Sequence, residues 1–313
     1  MQMPGRILAV TALIVTIPCG ATAARGQDRP AVAPAAELRP LPPPAHYPRR
    51  EERPIPRPPM PPTFGSTELR RYPGIAEAGQ GAAAAGDSFY AVVNTRIGRY
   101  AKDDGRKLAE WVGDPTQVVH LNACAVLEAR LMCAHSNFPH VPMVSSVEVF
   151  DPLTLEHLDS ISLGEQAGSL TWIDRHDGAW WAVFAHYDGR GGEPGRDHRS
   201  TTLVRFDDQW RRTESWLFPP SVLERFAPTS SSGGAFGDEG LIYVSGHDAP
   251  ELYVLRLPSF GSVLEHVATV NVSFAGQGWA WDRTETRILW GIDRGGRQVV
   301  QTRVLPLPLP PED

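Results

Sequence analysis

The sequence predicts an all-β, five-bladed β-propeller whose N-terminal strand closes the last blade. Three observations predict it. The stretch Ser232–Leu257, SGGAFGDEGLIYVSGHDAPELYVLRL, reads as three short strands joined by the turn Asp238-Glu239-Gly240 and the polar break Gly246-His247-Asp248. The same plan recurs along the chain. The polar residues that end each second strand, Asn94, Asn137, Asp188, Asp248 and Asp293, are spaced 43, 51, 60 and 45 residues apart. A propeller blade of four strands takes about 40–50 residues, so the series fits five blades with two enlarged loops.

The segments at the chain's ends come first. Met1–Ala23 has the form of an export signal, with Arg6, the apolar run Ile7–Ile17 and an A-x-A site at Ala21-Thr22-Ala23. That run is shorter than the roughly 20 residues that span a bilayer. Residues 24–63 carry Pro40–Pro44 and Pro54–Pro62 with scattered Arg and no hydrophobic period. They read as an extended, disordered spacer. The propeller is expected over residues 64–306, with 307–313 as a tail. The chain is therefore expected to be secreted or periplasmic, with no transmembrane segment after signal removal, and monomeric. A net charge of −6 argues against a nucleic-acid partner.

The strands follow in order. Blade one is Gly79–Ala84, Phe89–Val93, Ile97–Ala101 and Lys107–Val112. Blade two is Asn122–Leu127, Leu131–Ala134, Ser146–Phe150 and Glu156–Leu163. In it, a two-residue turn at Glu128-Ala129 would set Cys124 opposite Cys133, either as a disulfide, which export permits, or as two buried thiols. Blade three is Ser169–Ile173, Trp180–Ala185, Thr201–Phe206 and Arg211–Phe218. A helical turn with a capping box, Ser221-Val222-Leu223-Glu224, leads to blade four, which adds Leu264–Asn271 to the opening stretch. Blade five, Gln277–Trp281, Arg287–Ile292 and Gln298–Leu305, lacks an outer strand. Thr67–Tyr72 is the candidate to supply it, which removes a free edge.

The polar breaks and the residues that lead into each first strand fall on one face of such a ring. That places His120, His135, His186, His247, Asn122, Gln277, Asp188, Asp248 and Asp293 around one mouth of the central channel. The first strands are also led by Gln80, Ser169 and Ser232. Asp and Asn are common turn formers in their own right. Histidines at the matching breaks of successive blades suit proton transfer or metal ligation. His186 or His247 is the expected proton carrier, oriented by Asp188 or Asp248. Arg96 and Arg294, in blades that become neighbours on closure, would hold a substrate carboxylate. A divalent metal is the alternative occupant, with the histidines as neutral ligands; no close-spaced ligand motif marks one. Two long loops, Asn137–Ser145 and Tyr187–Ser200, would cover the mouth. Ser230–Ser232 lacks the strand-to-helix elbow of a hydrolase nucleophile, and no nucleotide fingerprint occurs.

The stretches HLNACAVLEARLMCAHSNFP, SSVEVFDPLTLEH, GSLTWIDRHDGAWWAVFAHYD, TTLVRFDDQWRR, FAPTSSSGG and SGHDAPELYVLRLP together resemble a family of exported bacterial propellers. Its members often carry the label cycloisomerase, after the propeller-shaped muconate lactonizing and lactonase-type enzymes. The resemblance implies a cyclic, carboxylate-bearing small molecule as ligand and a cycloisomerase or lactone hydrolase as the activity. The other expectation is a propeller that recognises a ligand without turning it over.

Overall fold

A computed structural model describes residues 60–165 and 168–309. The export signal expected at 1–23 and the spacer up to residue 59 lie outside the described residues. The rest is a ring of five antiparallel sheets. Blade one runs outward from the axis as Gly81–Ala85, Ser88–Val93, Arg96–Ala101 and Lys107–Val112. Blade two is His120–Leu127, Arg130–Ser136, Val144–Phe150 and His157–Glu165. Blade three is Ser169–His176, Ala179–Ala185, Thr202–Phe206 and Arg212–Leu217, and blade four is Gly233–Phe236, Ile242–Ser245, Glu251–Arg256 and Glu265–Asn271. Blade five is Ala280–Trp281, Ile288–Asp293, Gln298–Arg303 and then Thr67–Tyr72. The N-terminal strand thus supplies the missing outer strand, pairing Thr67 with Arg303 and Tyr72 with Val299.

Burial follows the strand order. Inner and second strands are almost wholly buried, whereas outer strands such as Lys107–Val112 are largely exposed. Between blades the core is aromatic. Phe89 and Trp290 stack at 5.2 Å across the seam of blades one and five, with Tyr72 5.6 Å from Trp290. Each such ring contributes about 1.5–3 kcal/mol by burial.

The seam at the axis is closed by backbone. Gly278 donates to the Gln80 carbonyl at 2.8 Å, and Gly81 bridges Gly278 in parallel. A Cβ on Gly278 would sit 2.7 Å from the Gln80 oxygen and 2.9 Å from Ala123, so only glycine fits. This shortens the inner strand of blade five relative to the expected Gln277–Trp281. Gly276 and Gln277 take φ values of +46° and +65° and turn, and Gly278 bonds sideways to blade one.

Cys124 and Cys133 are joined by a disulfide, with Cα atoms 4.0 Å apart. Glu128 and Ala129 have φ of 48° and 60°, the primed hairpin turn that matches strand twist and sets this register.

Three local expectations change. The helix is Pro220–Phe226, with Pro219 as its cap and no side-chain capping bond. Proline at the first helical position places Ser221 inside the helix, where its hydroxyl bonds His266 Nδ1 at 3.0 Å instead of forming the capping box. Thr63–Phe64 belongs to the sheet, running parallel to Glu265–Asn271 on the edge of blade four. Leu307 and Leu309, within the expected tail, pack half-buried against the core of blades four and five. Among the described residues no helix is long and apolar enough to cross a membrane.

Candidate functional site

The leading residues of the inner strands meet at the axis beneath the loops that join second to third strands. There they enclose a cavity of about 630 Å³, a volume that holds a small ligand. Gln80, His120, Asn122, Thr171, Ser232 and Gln277 come from the inner-strand side. Asn94, Phe138, Tyr187, Arg190, His247 and Arg294 come from the covering turns and loops. Two other recesses, about 160 and 350 Å³, gather around Arg287 and contain no histidine.

His247 is the best-placed titratable side chain. Its Nδ1 lies 2.6 Å from Asp248 Oδ1, and Arg294 Nη1 lies 3.4 Å from its Nε2. A guanidinium only donates, so Nε2 accepts and Nδ1 carries the proton given to Asp248. Gln277 holds the loop by donating Nε2 to the His247 carbonyl at 3.0 Å. The imidazole thus presents a lone pair toward the cavity, with a carboxylate behind it.

His120 is the second imidazole. Its Nδ1 sits 2.9 Å from Asn94 Oδ1, which also accepts from Gln80. Burial, with further repulsion from His135, Arg294 and Arg190, lowers its pKa to about 4, although Asn122 opposes the shift. His120 is therefore a neutral hydrogen-bonding group at ordinary pH. Asn122 is fixed by donating to the Leu170 carbonyl at 2.7 Å.

Several expected site residues lie elsewhere. His135 is locked between strands: Val119 N–H donates to its Nε2 at 3.0 Å and its Nδ1 donates to Ser146 at 2.8 Å. Burial lowers its pKa despite Glu148 nearby. His186 is 2% exposed, beside Glu193 at 3.7 Å, and does not line the cavity. Asp188 does not orient His186; it accepts from the backbone and ring of His198 at 3.0 and 2.6 Å. Burial would raise the Asp188 pKa, but those two bonds hold it below the usual value. Asp248 sits behind His247, largely exposed. Asp293 turns outward to Arg71 at 3.3 Å. Arg96 begins the third strand of its blade, opposite Val93, and is exposed outside the cavity lining. Its blade-one turn is only two residues long, whereas the longer blade-five turn leaves Arg294 free to lean inward.

Strand alternation explains the histidines. His135 and His186 each stand two residues before the polar break, and both are buried away from the axis. His247 stands one residue before Asp248, and that offset turns it to the cavity. Phe138, Tyr187, Arg190 and Thr171 escaped the sequence reading. Phe138 and Tyr187 lie directly beside break positions on the two loops expected to cover the mouth, and that adjacency was the available signal.

Asp188, Asp197 and His198 bring one ligand atom each within 4.8 Å of one another. As a metal centre the set fits poorly. Arg199 grips both Asp197 oxygens from Nε, at 3.0 and 2.9 Å, and the Asp188 oxygen is already shared between two His198 donors. A cation would have to displace a guanidinium.

No protein-family model matches the chain, and no curated protein matches it in sequence. Among solved structures, a PQQ-bound aldose sugar dehydrogenase from Streptomyces coelicolor is similar, at 13% identity and a TM-score of 0.46, covering 74% of this chain and 78% of that one. A protein of unknown function from Bacteroides caccae is similar at 12% identity and a TM-score of 0.37, covering 68% and 65%. Likenesses at this level say nothing of ligand or reaction.

Proposed function

We propose that the axial cavity binds a small cyclic carboxylate and that the chain is a lactonase- or cycloisomerase-type enzyme. One observation carries the reading. Two guanidiniums, Arg190 and Arg294, line a cavity whose lining contains no carboxylate, beside an imidazole whose Nε2 lone pair faces it. Positive charge with no carboxylate beside it, among convergent amides and hydroxyls, suits an anion.

The geometry suggests a coupled first step. The 3.4 Å contact from Arg294 to His247 Nε2 is weak. A substrate carboxylate, being charged, draws the guanidinium to itself and frees that lone pair. His247 Nε2 then takes the proton on the carbon next to the carboxylate. The C–H electron pair forms a C=C bond as the ring C–O bond breaks and the lactone oxygens leave as a second carboxylate. Asp248 stabilises the imidazolium through Nδ1–H, and Arg294 and Arg190 hold the negative charge that builds on the first carboxylate. The reverse sequence closes the ring.

A panel of lactones and cyclic acids tests this. His247→Ala is expected to lower turnover about 10²–10⁴-fold, the range of a lost general base. Arg294→Ala is expected mainly to raise KM. Carboxylate binding with no turnover of any panel member would instead favour the recognition module. No binding of any carboxylate would defeat both.

A further inference from the structure

The cavity is not uniform around the axis. Its carbon-rich lining, Val119, Phe138, Pro139, Tyr187 and Pro228, comes from blades two and three and the connection leaving blade three. Blades five and one contribute only Gln80, Asn94, Gln277 and Arg294, and His247 of blade four sits beside them. Arg190 also comes from blade three, and both it and Arg294 act on His120, so a ligand that satisfies the cavity sets an apolar face against the rings and its charge toward the two guanidiniums.

The apolar half is built from oriented rings. Phe138 and Tyr187 meet edge-to-face, with centroids 5.0 Å apart and planes at 61°. His120 lies 5.1 Å from Phe138 on another side, and the Arg190 guanidinium sits over the Phe138 ring at 6.0 Å. Gly191, at φ +79°, lets the loop lie flat there: a Cβ would come within 2.3 Å of the ring. Tyr187 packs its ring against Phe138, and burial raises its pKa to about 12, so its hydroxyl stays protonated. Both rings are thus held in place before any ligand arrives, and rings so fixed favour a planar π-system over a puckered one.

Resting on the anion-site reading above, we infer that the ring of the ligand is planar and unsaturated, with its carboxylate on an arm whose carbon keeps the proton that His247 takes, and that Phe138 and Tyr187 select such a ring against saturated rings of equal size. The ring lies against the Phe138–Tyr187 corner and the carboxylate points across the axis to Arg294.

Ligand-observed NMR and calorimetry on the full chain test this with benzoate, cyclohexanecarboxylate and benzamide. Benzoate is expected to bind about 2–10-fold more tightly than cyclohexanecarboxylate, the worth of an aromatic contact beyond its area. Phe138→Leu, which keeps apolar volume without the ring, is expected to abolish that preference while both acids still bind. Benzamide is expected to bind more weakly than benzoate. Equal binding of the two acids to the wild-type chain, or a preference that survives in Phe138→Leu, overturns the aromatic selection and leaves the anion site standing. Failure of both acids to bind overturns the anion site as well.

Discussion

Replacing His120 with Asn should flatten the dependence of stability on pH. The ring is held neutral in the fold, with its pKa lowered from 6.5 to about 4. Between those values the unfolded chain binds a proton that the folded chain refuses, so stability falls as pH falls. Going from about pH 7.5 to about pH 5, a shift of that size removes about 2 kcal/mol, an upper figure for a ring partly reached by solvent. For a domain of this size the loss is about 4–8 °C in Tm. The amide in His120→Asn would retain a side-chain donor toward Asn94 without a titrating group. Urea melts at the two pH values provide the assay, with the variant and the wild type compared at each. His135 and His266 are also lowered by burial and contribute in the same direction in both proteins. The effect of His120 is therefore the difference between the two slopes. An unchanged slope in His120→Asn would refute the argument, as would an imidazole NMR titration that places the His120 pKa near 6.5.

Three further outcomes are expected. Replacing Cys124 and Cys133 by Ala opens a link between residues nine apart in sequence. On loop-entropy grounds this should cost about 2–3 kcal/mol in denaturant melts, and a variant as stable as wild type would speak against the bond. Arg283→Ala strands the fully buried Asp174, which otherwise accepts from that guanidinium and from Phe236 N–H. Breaking a buried pair in this way should cost about 3–5 kcal/mol, against which Asp174→Asn/Arg283→Ala should recover stability. A chain that begins at residue 74 lacks the strand that closes blade five. It should melt without a cooperative transition by circular dichroism, and a wild-type melt would contradict the closure.

Much of this fold was legible because its signals are local and repeated. Alternating strands, turn residues and the spacing from Asn94 to Asp293 are written into each blade, and the gap after Gln298–Arg303 pointed to Thr67–Tyr72. That Cys124 faces Cys133 followed from a two-residue turn, while the bond between them, open in the sequence, is seen in the structure. The site was harder to read because the direction of a side chain depends on a single position of offset. His135 and His186 face neighbouring elements, whereas His247 faces the axis, and hydropathy does not separate them. Asp293 is drawn off by Arg71, which lies 222 residues away in sequence. Arg190 sits in a Gly-rich insertion with no strand period, so nothing in its spacing marked it as lining.

The most direct test of the axial anion site is the Kd of benzoate for the wild type and for Arg294→Ala, measured by calorimetry at low ionic strength. A charge pair at contact distance is worth about 1–4 kcal/mol between the limits of bulk water and a protein surface, so at least about a five-fold loss of affinity is expected in the variant, shrinking as salt is added. An equal Kd for the two proteins, insensitive to salt, would contradict the account.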